Sequence, residues 1–218
     1  MGKVVAIDGP SGAGKSTIAK ELAKKLGFKY LDTGALYRAV ALALREKGIS
    51  EEDKDEALKA VINNAEIKFK DGSIYLNGRD VSEEIRATEI GHYSSVFSAR
   101  KVVRDFLLHA QREAAKNDDL VAEGRDMTTV VFPDAWKKFF LDASIEERAK
   151  RRYLQLKEQR PDVTEEDARK DVVERDERDS SRAIAPLRKA EDAVLINSSN
   201  MSVNEVLDNI IKIVRSGN

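Results

Sequence analysis

Gly9-Pro10-Ser11-Gly12-Ala13-Gly14-Lys15-Ser16 lies between the apolar run Val4-Val5-Ala6-Ile7 and the stretch Thr17-Ile18-Ala19-Lys20-Glu21-Leu22. It fits G-x-x-x-x-G-K-[ST] at every specified position, a pattern that carries weight only between a strand and a helix. Both flanks are readable. Lys3–Asp8 is a short β-branched run that ends at Gly9, and Lys15–Leu26 spaces Ile18, Leu22 and Leu26 four apart with Gly27 as C-cap. In such a loop the glycines let successive backbone N–H groups turn inward around a β-phosphate, and the helix N-terminus adds partial positive charge. The candidate ATP-binding residues are therefore Gly9, Pro10, Ser11, Gly12, Ala13, Gly14, Lys15, Ser16 and Thr17. Lys15 can reach the β and γ oxygens, and the Ser16 hydroxyl is placed to ligate a bridging Mg²⁺.

Outward from the loop, further strands are expected at Lys29–Leu31, Leu120–Glu123, Lys138–Asp142 and Ala193–Ile196, with helices over 34–47, 98–116, 144–159 and 202–215. Short buried strands alternating with amphipathic helices indicate an α/β fold with a parallel sheet covered on both faces. Two segments depart from that rhythm. Glu66–Val81 reads as an antiparallel insertion, with Asp71-Gly72 and Asn77-Gly78 as turns around Ile74-Tyr75-Leu76. Residues 144–182 carry eleven basic and twelve acidic side chains, open on Ser144-x-x-Glu147 as a capping box and are divided by Pro161, which makes them an exposed flap.

With 218 residues, of which 41% are apolar, the chain can bury one substantial core, and a single domain is expected. The 38 basic and 39 acidic side chains balance, so no net field draws the protein onto nucleic acid or a membrane. Small-molecule partners and a monomer are expected. There is no cysteine, and Val4–Ile7 is far too short for a signal peptide or membrane span, so a cytoplasmic location is expected. The phosphate loop is shared by motors, GTPases and small-molecule kinases. No N-K-x-D motif is present, which counts against a GTPase switch, and the balanced charge counts against a nucleic-acid motor.

Arg175, Arg178, Asp179 and Arg182 are spaced i, i+3, i+4, i+7 and share one face if the stretch is helical. A solvated, salt-bridged face is the common meaning of such a stripe. Opposite a phosphoryl donor it can instead supply guanidinium groups to spread negative charge, with Arg148, Arg151 and Arg152 nearby. Glu123-Gly124-Arg125-Asp126 follows a buried strand, which places Arg125 and Asp126 where α/β sheets bind ligands. Asp32-Thr33-Gly34 does the same after the second strand, with Arg38 one turn on and Asp32 or Thr33 available as an N-cap. His92 and His109 have no partner at metal-ligand spacing.

IDGPSGAGKST, YLDTGALYR, SSVFSARKVVRDFLLHAQR, VAEGRDMTTVVFPDA, RRYLQL and ERDERDSSRAIAPL, in that order, resemble the bacterial cytidylate kinases among the nucleoside monophosphate kinases, over almost the whole chain. The resemblance implies the P-loop nucleoside monophosphate kinase fold: a five-stranded parallel sheet flanked by helices. It divides one kinase domain, 1–218, into a core (about 1–59, 98–143 and 183–218), a monophosphate-binding insertion (60–97) and an arginine-rich lid (144–182). It implies Mg-assisted transfer from ATP to CMP or dCMP. Ser95, Arg104 and Asp126 would read cytosine; Arg38, Arg125 and Arg182 would hold the acceptor phosphate, with Thr33 in the same site; Arg175 and Asp179 would take the sugar. Arg178 and Arg151 would act from the lid beside Lys15. Two departures stand out: Ser16 and Thr128 occupy positions where glycine is common in such chains. The alternatives are a kinase of UMP or AMP and a nucleotide-binding regulatory module whose arginine flap holds a protein or RNA.

Overall fold

The structure, a computed structural model, describes residues 2–70 and 72–216. In chain order its elements are β1 (Val4–Asp8), α1 (Lys15–Leu26), β2 (Lys29–Asp32), α2 (Thr33–Glu46), α3 (Asp55–Ile62), β3 (Ile67–Lys70), β4 (Ser73–Leu76) and β5 (Arg79–Asp80). They continue with α4 (Thr88–Phe97), α5 (Lys101–Glu113), β6 (Leu120–Gly124), β7 (Lys137–Asp142), α6 (Ile145–Lys157), α7 (Glu165–Ser181), β8 (Val194–Asn197) and α8 (Val203–Arg215). A π-helical turn, Met127–Val131, follows β6.

Five strands form one sheet in the order β2-β6-β1-β7-β8, with every pairing parallel. β1 at its centre and β6 beside it are buried at every residue. Both faces of these strands are covered, so they read as continuous apolar runs instead of alternating ones. On one face Leu36, Val40, Phe97 and Leu107 belong to a large apolar cluster; on the other Ile18, Leu22, Leu207 and Ile210 do. The carboxyl ends of β1, β2 and β6 bring Asp8, Asp32 and Gly124 to one edge, where open α/β sheets bind ligands.

The antiparallel piece forms as β3-β4-β5 with Ile67 opposite Leu76, and its Asn77-Gly78 turn has both residues at positive φ (51° and 80°), as a tight hairpin requires. Asp71, half of the other expected turn, lies outside the described residues.

Several expectations need correction. The helix expected over 98–116 covers only Lys101–Glu113, and two helices that no periodicity announced, α3 and α4, precede it. The break at Ser98–Arg100 has a tertiary cause: Arg100 leaves helical geometry (φ −78°, ψ 126°) and reaches Asp55 Oδ1 at 2.8 Å and Asp53 O at 2.8 Å. Only half of the Ser144/Glu147 capping box forms: Ser144 Oγ accepts from Glu147 N at 3.3 Å, while the Ser144 N–H donates to Ser199 Oγ at 2.9 Å. Complete boxes occur at Thr164/Asp167 and Ser202/Glu205. The arginine stripe is also shorter than its spacing suggested, because α7 ends at Ser181 and Arg182 is its extended C-cap (ψ 138°).

Candidate active site

The phosphate loop bends where only glycine fits. Gly9 has φ 154°, and a Cβ there would lie 1.9 Å from Leu141 O; Gly12 has φ 75° and faces Arg148 O at 2.8 Å in the same sense. Lys15, 5% exposed, donates from Nζ to Pro10 O at 2.7 Å. Burial and the charge of Arg125 lower its pKa well below the ordinary lysine value, against the pull of Glu123. Ser16 Oγ donates to Glu123 Oε1 at 2.7 Å. Burial and the neighbouring Asp32 raise the Glu123 carboxyl.

Ser16 and Glu123 give the cleft two hard oxygen donors, side by side, one hydroxyl and one buried carboxylate. Mg²⁺ suits such a pair, since it keeps waters and substrate phosphates as its other ligands. No group of three or more His, Asp or Glu side chains at metal-binding spacing occurs among the described residues. The donors present thus fit an ion that arrives with a triphosphate.

Opposite the loop, α2, α4, α5, β6 and α7 enclose a cleft of about 370 Å³. Arg104 and Asp126, 7% and 2% exposed, form a buried ion pair in its wall. Arg104 Nη1 also donates to Ser98 O at 3.0 Å, and its guanidinium lies 5.5 Å from the Tyr37 ring centre. Ser95 Oγ is buried without a hydrogen-bond partner among the described residues. Thr33 Oγ1 donates to Glu123 O at 2.7 Å, and Arg38 pairs with Asp32 at 3.2 Å. Asp32 is also the N-cap of α2, accepting from Ala35 N at 2.8 Å.

Arg125 Nε donates to Asp179 Oδ2 at 2.8 Å, and Arg182 lies 3.5 Å from Asp179 and 3.9 Å from Asp126. Burial alone would raise the Asp179 carboxyl, but Arg125, Arg175 and Arg182 hold it below the usual range. Burial and Arg125 together lower Arg175 to about 10. Arg38 Nε, Arg175 Nε and Arg182 Nη2 are buried without hydrogen-bond partners among the described residues. Arginines outnumber carboxylates in this wall, and donors left unsatisfied in a buried cleft suit an anionic ligand with several acceptor oxygens.

The flap meets the phosphate loop directly. Arg148 donates to Ser11 O at 3.0 Å and pairs with Asp176, whose Oδ1 accepts from Ser11 N at 2.9 Å. Arg151 donates to Ala13 O at 3.2 Å and Ser198 O at 3.0 Å and lines the cleft. Arg152 and the other residues given a nucleotide role from sequence line it too, except Gly9, Pro10 and Ala13, which form the back of the loop, and Arg178; Arg148, which holds the loop through Ser11 O, is also outside the lining. Arg178 lies to one side of the face that Arg175 and Asp179 present. Residues not singled out from sequence are Glu123, Tyr37, Ser94, Ser98 and Gln155 in the cleft and Asp176 behind the loop. Glu123 had a readable signal, an acid ending the strand beside β1; Ser98 and Asp176 had none, because tertiary packing makes their contacts.

A family sequence model described as cytidylate kinase matches residues 5–216. A cytidylate kinase of Thermodesulfovibrio yellowstonii is 54% identical over 97% of this chain and 97% of its own length. Cytidylate kinases of Geobacter sulfurreducens (50% identity; 98% of this chain, 93% of the relative) and Thermotoga maritima (47%; 99% and 98%) are similar at the same scale. Among solved structures, an uncharacterized protein of Eubacterium ventriosum superposes with TM-score 0.56 at 16% identity, covering 98% of this chain and 99% of its own. Shikimate kinase of Acinetobacter baumannii superposes at 0.50 and 17% identity, covering 99% and 94%. Likeness at that identity speaks for the fold alone.

Proposed function

Because this chain belongs to the cytidylate kinase family, we infer that it transfers the γ-phosphoryl group of ATP to CMP and dCMP, giving ADP with CDP or dCDP. The observation that carries the reading is the cleft in which the buried Arg104–Asp126 pair and the arginine cluster face the phosphate loop. Cytosine offers an amine donor beside two acceptors, which a carboxylate and an arginine complement. Uracil offers an acceptor and then a donor at the first two of those places and would leave both side chains mispaired.

The loop amides and Lys15 hold the β- and γ-phosphates, and Arg38, Arg125 and Arg182 orient the acceptor phosphate. An oxygen of that phosphate attacks the γ-phosphorus, the new P–O bond forms, and the bond to the β-phosphate oxygen breaks to release ADP. The nucleophile is already anionic, so the step needs no general base, and the work left to the protein is positioning and charge stabilisation. Mg²⁺, held by Ser16 with Glu123 beside it, would neutralise charge on the β- and γ-oxygens. Arg175 and Asp179 face the sugar, Ser95 completes the base site, and Arg151 and Arg178 act from a lid formed by about residues 144–182. The insertion at about 60–97 carries part of the acceptor site, and the core segments are about 1–59, 98–143 and 183–218. No described helix is long and apolar enough to cross a membrane; we place the enzyme in the cytoplasm as a monomer. A coupled assay of ADP formation with CMP, dCMP, UMP and AMP tests the reading. CMP and dCMP should exceed UMP and AMP in kcat/KM, and equal rates across the panel would overturn it.

A further inference from the structure

Asp8 ends the central strand, is fully buried, and makes no side-chain hydrogen bond to a residue assigned to substrate. All of its side-chain hydrogen bonds run to one short segment. Oδ1 accepts from Met127 N at 2.8 Å, and Oδ2 accepts from Thr128 N at 2.7 Å and from Thr128 Oγ1 at 2.6 Å. These donors open the π-helical turn that follows Asp126. Within the turn, Asp126 O accepts from Val130 N at 2.9 Å and from Val131 N at 3.1 Å, and Phe132 N donates to Met127 O at 2.8 Å. At its far end Arg112 of α5 covers two carbonyls, Val131 O at 3.0 Å and Val130 O at 2.9 Å. A carboxylate thus caps the end rich in free N–H groups and a guanidinium caps the end rich in free carbonyls, the arrangement that helical dipoles favour.

A π turn is rarer than an α turn and persists where its surroundings hold it. Loss of the two π-spaced bonds would leave Asp126 O held by Val130 N alone and free the backbone from which the Asp126 carboxylate hangs to turn. Thr128 contributes to the anchoring: it has no positive φ, so the threonine needs no glycine-like backbone, and its hydroxyl adds a third donor to Asp8.

We propose that Asp8 and Arg112, with the Thr128 hydroxyl, are positioning residues that clamp the π turn and so set the Asp126 carboxylate for the cytosine amine. The proposal rests on Asp126 as base reader. Asp8 directly precedes Gly9, so one strand end fixes the start of the phosphate loop and the anchor of the base site together.

The test is steady-state kinetics of Thr128→Val, Thr128→Ser and Asp8→Asn with CMP, UMP and ATP, beside Asp126→Ala as control. Thr128→Val removes the hydroxyl at constant shape, and Asp8→Asn places an amide donor against the Thr128 donors. A hydrogen bond to a charged group is worth roughly ten- to a hundredfold when fully expressed. We expect the KM for CMP to rise on the order of five- to tenfold in Thr128→Val and more in Asp8→Asn, with a lower CMP/UMP ratio of kcat/KM and an ATP KM within about twofold of wild type. Thr128→Ser should restore the CMP value. A merely structural pin would raise both KM values together, and that outcome, or an unchanged CMP KM in Thr128→Val, overturns the proposal. If Asp8→Asn does not fold, the two Thr128 variants decide alone. If Asp126→Ala leaves the CMP/UMP ratio unchanged, the base-reading assignment falls and the clamp with it. If only Asp126→Ala shifts that ratio, the clamp alone falls.

Discussion

Lys15 is held where its ammonium form is disfavoured, first by burial and then by Arg125 and Arg175, against Glu123 and Asp179. A triphosphate against the loop reverses that balance, because its oxygens favour the charged lysine. The pKa rises on binding, so ATP binding takes up a proton, and affinity falls as pH rises through the depressed pKa of the unliganded protein. Calorimetric titration of ATP in buffers of different ionisation enthalpy should show greater proton uptake near neutral pH for wild type than for Lys15→Ala. The variant should also lose phosphoryl transfer while remaining folded, and near wild-type turnover would remove Lys15 from the reaction.

Asp126 invites a second test at the same scale. Alanine removes the acceptor for the cytosine amine, but it also removes the charge that repels the O4 oxygen of uracil. Losing a charge-assisted bond costs roughly 1.5–3 kcal/mol, so kcat/KM for CMP should fall on the order of ten- to a hundredfold while UMP loses less or gains. Damage to the neighbouring Arg125 contact would depress both substrates alike, which makes the CMP/UMP ratio the informative quantity. An unchanged ratio would leave cytosine selectivity without a physical basis.

Among the elements, α7 carries the clearest lesson about spacing. Arg175 and Asp179, four residues apart, share the cleft wall; Arg178 is outside it, and Arg182 lines it from beyond the helix end. Periodicity alone could not find that end, since Ser181 and Arg182 are not helix breakers. If Arg178 nonetheless acts on the transferring group when the lid moves, Arg178→Ala should lower kcat far more than it weakens CMP binding. Arginine fingers contribute roughly 10³–10⁵ in rate, and a lid arginine sharing the task should fall toward or below the lower figure. An unchanged kcat would make it part of an ordinary salt-bridged surface. The α4–α5 break was equally hidden from local reading, because Arg100 answers to Asp53 and Asp55, over forty residues away in the chain.

For the whole molecule, what was legible was local. The phosphate loop announced itself by glycine placement, and the buried strands by unbroken apolar runs. Their neighbours were not legible: nothing in Val4–Asp8 specifies that its partners are Leu120–Gly124 and Lys137–Asp142. The place of Asp126 at a strand end was readable as a ligand site, but its role toward a base was readable only through resemblance, since the base site joins α4, α5 and the segment after β6.

The strand order also governs when the protein can take shape during synthesis. β1 pairs only with β6 and β7, and β2 only with β6, so the chain up to Asp118 holds two strands of the main sheet and no pairing between them. Closing so long a loop costs entropy before any contact repays it, which slows folding and leaves early intermediates exposed. Stalled nascent chains of increasing length, probed by brief proteolysis, should show the Gly9–Ser16 region cleavable until β7 has emerged and protected in one step afterwards. Protection in chains that end before Leu120 would contradict this. The nucleotide-binding loop precedes both strands that flank β1 by more than a hundred residues, so it should acquire its curvature only after the middle of the chain has arrived, too late for ATP to act as an early template for folding.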